Sequence, residues 1–67
     1  MDTGLYSLGA AFQDEHPELV DEVIARADAI ESAGLEHWAS DHDLPLETAV
    51  QTLMTGLALR YYRALGA

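Results

Sequence analysis

The residues best equipped for chemistry sit together in one short stretch: Glu36, His37, Asp41, His42 and Asp43. Imidazole and carboxylate side chains are ligands for zinc or nickel, and His37 and Asp41, four apart, could share one face of a helix. The spacing follows no defined metal motif, and His16 has no companion nearby. Asp and His are also common turn residues. The stretch is therefore read as a solvated turn, with no metal ligand and no cofactor expected. Nucleophilic catalysis finds no support either. Cysteine is absent, Ser7, Ser32 and Ser40 lack a nucleophile-like setting, and no glycine-rich phosphate loop is present. The expectation is a protein with no catalytic residues, not an enzyme.

Composition narrows the partners. Twelve Asp and Glu stand against three arginines and no lysine, for a net charge of −9. Such a chain repels nucleic acid, whose affinity for proteins comes largely from Lys and Arg neutralising phosphates. Acidity of this kind keeps a protein soluble or suits a salt-rich, halophilic cytoplasm, where ions screen the repulsion. A rival explanation is that the surface meets a basic partner as a nucleic-acid mimic or inhibitor. The longest uncharged run in the last helical stretch, Thr48 to Leu59, is too short and too polar to span a bilayer. The N-terminus carries no signal-peptide pattern, so a cytoplasmic protein is expected, without a membrane partner.

Four segments must position these residues. Leu5, Leu8 and Phe12 fall on one side of a helix over about residues 3–13, which Asp2 or Thr3 could cap. Pro17 suits the first turn of a second helix, residues 17–33, whose apolar positions are Leu19, Val20, Val23, Ala27 and Ile30, with Ile24 beside them. Gly34 ends it as a left-handed cap. Residues 35–40 form a short helix that turns Leu35, Trp38 and Ala39 inward. After Leu44-Pro45 comes the longest element, residues 46–65. Its stripe of Leu46, Val50, Leu53, Leu57, Tyr61 and Ala64, widened by Ala49, Met54 and Leu65, is expected to face the core.

The predicted fold is a single all-α domain, a compact bundle of three to four helices. A chain of this size buries only about 60% of its unfolded surface. Without disulfides it needs good helix packing or a partner, and a homodimer is the favoured solution. The predicted contact face is a second, weakly polar band of the last helix: Thr52, Thr55, Gly56, Leu59 and Tyr62. It holds no acidic residue, and Gly56 allows another backbone to approach. The alternative is that the N-terminal helix covers this band. The function expected is a regulatory or protein-protein interaction module acting through that uncharged face.

Residues 35–59 also resemble the helical hairpin of ribbon-helix-helix regulators, through Leu35, Trp38, Ala39, Leu44, Ala49, Val50, Leu53, Gly56 and Leu57. The resemblance implies an intertwined dimer and, as an alternative function, a DNA-binding regulator or antitoxin. That family reads DNA with a basic β-strand just before the hairpin. Here the corresponding residues, near Val23 to Ser32, read as helix and carry Arg26 as their only basic residue. DNA recognition does not carry over residue by residue.

Overall fold

The computed structural model describes residues 3–66, and Asp2, one of the two proposed caps, lies outside them. Helix α1 (Thr3–Glu15) is followed by a 3-10 turn at Pro17–Leu19 that runs directly into α2 (Val20–Ala33). A short α3 (Leu35–Asp41) and the long α4 (Leu46–Gly66) complete the chain, with no strand among the described residues. The all-α bundle expected from the sequence is what forms. Its boundaries move by little: α1, α3 and α4 each run slightly past their expected ends, and the first three residues of the expected second helix form the 3-10 turn.

Local chemistry sets the breaks. Pro17 opens the 3-10 turn, where its missing N–H leaves no bond unmade. Gly34 ends α2 with φ at +95° and ψ at 145°, a backbone region open essentially only to glycine. This is a positive-φ cap, though not the left-handed helical one predicted. Its N–H donates to the Ile30 carbonyl at 2.7 Å, while its own carbonyl accepts from the Trp38 N–H at 2.9 Å. One residue thus closes α2 and opens α3. At the next turn the Asp43 N–H donates to Ser40 and the Leu44 N–H to Ala39, with Asp43 at a φ of +56° that Asp tolerates. The Pro45 carbonyl then accepts from Thr48 and Ala49 to start α4.

Packing is organised by α4, which touches all three other helices. At one end Ile30, Trp38, Ala39 and Ala49 form a buried cluster with Leu35 and Leu53 against it. Val20, Ala27, Ala58 and Leu59 continue the core. Among the described residues, only Ile30, Leu59 and Val20 are large side chains fully removed from water, each contributing about 1.5–3 kcal/mol. The remaining fully buried core positions are alanines. The helices therefore approach closely but bury little bulk. The shortest principal extent is 18 Å, room for two layers of helix with axes about 8–10 Å apart and no third.

The face α4 turns inward differs in part from the predicted one: Ala49 is buried and Leu53 packs on the core cluster as expected, but the rest of the stripe does not. Ala49, Gly56, Ala58 and Leu59 are its buried residues. Leu46, Met54 and Leu65, expected in the core stripe, are 47%, 52% and 59% exposed, and Val50, Leu57 and Tyr61 are only half-buried. Small residues let α2 and α1 lie close on one side, and the bulky side is left outside the two-layer stack.

Gly34 and Gly4 both have open space where a β-carbon would go, and only Gly34 has a positive φ. Gly34→Ala is expected to lower stability by about 1–3 kcal/mol through backbone strain alone. Gly4→Ala, within a helix, is expected to raise it by up to about 1 kcal/mol. Thermal melts of the two variants should therefore move in opposite directions.

Candidate functional site

The predicted contact band can be followed residue by residue along α4. Gly56 is buried against α2, where an added β-carbon would overlap the Ala27 side chain and crowd the Val23 carbonyl at 3.0 Å. Another backbone does come close there, as the glycine suggested, and it belongs to the same chain. Leu59 is fully buried. Tyr62 meets Tyr6 of α1 edge to face, ring centroids 5.0 Å apart. Thr52 and Thr55 donate their hydroxyls to the carbonyls of Thr48 (2.9 Å) and Gln51 (2.8 Å) on their own helix. Both line a groove of about 170 Å³ with Phe12, Val23 and Arg26. Part of the predicted contact face is corrected: Gly56 and Leu59 are core, whereas Tyr62 is half-buried beside α1 and Thr52 and Thr55 stay half-exposed along the groove.

The open apolar surface of α4 lies on the other side, with Glu47 at its edge in the first turn. Leu46, Val50, Met54, Leu57, Tyr61 and Leu65 recur at steps of three or four and run the length of the helix, none of them charged. Glu47 is the single acidic residue of α4. The arginines sit away from this stripe because they reach across to α2. Arg60 pairs with Asp28 and with Glu31 (2.9 Å), and Arg63 pairs with Asp21 (3.0 Å). The hydrogen bonds that Arg60 donates to Glu31 and then to Asp28 raise its pKa above the ordinary value. Both arginines thus link α4 to α2. Arg26 pairs with Glu22 within α2, four residues apart.

In the Glu36–Asp43 stretch, Glu36, His37 and Asp41 lie on α3, and only His42 and Asp43 form the expected turn. His42 stacks on Trp38 with centroids 4.2 Å apart, and its Nδ1 lies 2.9 Å from the Trp38 carbonyl, which engages one of its two ring nitrogens. Trp38 itself is 6% exposed, core as predicted. No group of three or more His, Asp or Glu among the described residues is arranged to hold a metal. Beside the stack runs an open groove of about 740 Å³ floored by Ala25, Ala29, Ala33, Trp38 and Leu44. Glu22, Arg26, Asp41 and His42 supply its polar groups. A third hollow, about 430 Å³, lies among Gln13, Tyr62, Arg63 and Gly66. There Gln13 Oε1 is buried with no hydrogen-bond partner among the described residues.

No helix of the described residues is long and apolar enough to cross a membrane. The residues that the ribbon-helix-helix resemblance would make a strand, near Val23 to Ser32, belong to α2.

Sequence reading missed the exposed stripe because it assigned the largest side chains to the core. The usable signal was the set of small residues, Gly56 opposite Ala27 and Ala58 opposite Gly9 on the facing helices. If the Gly56–Ala27 approach holds α4 to α2, Gly56→Ala should lower stability by about 1–3 kcal/mol through overpacking. A denaturant melt with an unchanged midpoint would be inconsistent with that approach. No family model matches the chain, and no curated protein or solved structure is significantly similar to it.

Proposed function

We propose that this chain is a non-enzymatic protein-protein interaction module whose contact surface is the outward apolar stripe of α4. The observation that carries this reading is the exposure of Leu46, Met54 and Leu65, each about half open to water, on a helix face whose single charge is Glu47 in the first turn, in a protein of net charge −9. Single exposed leucines are ordinary on protein surfaces. A continuous stripe rimmed by polar residues is the pattern of an interaction site. The chemistry of the grooves also favours binding over catalysis, since no nucleophile, base and orienting group converge in any of them.

The test uses the tagged full-length chain as bait in its native host, beside a Met54→Glu variant. Met54 is half exposed at mid-helix, so the charge leaves the fold intact and spoils the stripe. Wild type is expected to retain a partner, whether another protein or untagged copies of itself, that the variant releases. Identical retention by both baits would remove the stripe from consideration.

A further inference from the structure

Resting on that reading, we infer that the occupant of the α4 stripe is a second copy of this chain, packed antiparallel, helix against helix, about a two-fold axis between Thr55 and Gly56. The placement of the large residues points to this register. Leu46 and Leu65, Val50 and Tyr61, and Met54 and Leu57 are three pairs that share one midpoint along the helix. An antiparallel copy centred there lays Leu46 on the partner's Leu65, Val50 on the partner's Tyr61 and Met54 on the partner's Leu57. A two-fold interface must be self-complementary in this way, since each contact occurs twice with the roles exchanged. The two end residues, Leu46 and Leu65, are each about half exposed in the single chain, so the pairing shelters both ends of the stripe.

Electrostatics selects the same face. Two chains of net charge −9 repel one another across any surface that carries acids. Glu47 borders the stripe in its first turn and in this register falls beside the partner's Ala64, away from any acid; the other acidic residues lie on the first three helices, the connections between them and the N-terminus. Pairing through α4 keeps those groups on the outer sides of the assembly. Antiparallel packing also sets the positive N-terminal end of each α4 beside the negative C-terminal end of its mate. An alanine-rich core in a chain this small gains from the added burial. The apolar band then runs inside a layered dimer, with α2 of each copy on the far side of its α4.

The chain contains no cysteine, so engineered thiols report the register cleanly. L46C and L65C chains, prepared separately and mixed under mild oxidation, are expected to give a mixed disulfide dimer. L46C alone is expected to give several-fold less, because like ends of antiparallel helices lie about 28 Å apart, beyond disulfide reach. Sedimentation equilibrium of the unmodified chain should show twice the 7.3 kDa chain mass at high micromolar concentration. Association should tighten with added salt as the repulsion is screened. M54E should stay at the single-chain mass with unchanged helical circular dichroism. A single-chain mass throughout, or L46C chains that cross-link to each other in preference to L65C, would overturn the pairing. The interaction-module reading would still stand if the bait experiment returned a different protein, and would fall only if both baits behaved alike.

Discussion

The close approach of α4 to α2 at Gly56 and Ala27 is the constraint on which the rest of this fold depends. There is no room for a β-carbon at Gly56, and at Gly9 the Ala58 carbonyl leaves none either. Two helices are therefore drawn against α4 through its smallest residues. Backbones that meet this closely gain dispersion contacts along their whole crossing, but they bury few methylenes. The cost is a core with three large, fully buried side chains and several alanines. The consequence is geometric: neighbours gathered on the small side leave the bulky side open.

Charge reinforces the arrangement. Arg60 and Arg63 point toward α2 and bind Asp28, Glu31 and Asp21, in keeping with the rotation of α4 that its small residues set. Each bridge is exposed and contributes little to stability by itself. Together they place two of the chain's three cations where acids would otherwise crowd, and they keep charge off the opposite face. The same rotation that satisfies the arginines turns Leu46, Met54 and Leu65 toward solvent. Stability within the chain and availability for a partner are thus set by one orientation.

Much of the architecture was legible in the sequence because the breaks have local causes. Pro17, Gly34 and Pro45 each impose a backbone restriction that needs no tertiary knowledge, and the elements between them follow. Ala27, Ile30 and Trp38 were equally readable, since each lies on a helix with one apolar side. The orientation of α4 was not. Leucines occur around most of its circumference, at positions 46, 53, 57, 59 and 65, so periodicity points to several faces at once. Ranking those faces by bulk chose the wrong one. The choice turns on which small residues of α4 meet small residues of α1 and α2, a matching between segments that no single-helix pattern contains. The turn at His42 and Asp43 was readable as a turn, whereas the stacking of His42 on Trp38 follows from a backbone path that composition does not specify.

The orientation of α4 is open to direct measurement in solution. Nuclear Overhauser spectra of the full chain at low concentration would report the protons of Gly56 against the methyl groups of α2. Strong cross-peaks from the Gly56 α-protons to the Ala27 methyl, with none from Met54 or Leu57 to Ala27 or Ile30, are the predicted result. Cross-peaks from Met54 and Leu57 to those α2 residues, with Gly56 silent, would contradict it and put the bulky stripe inside the molecule.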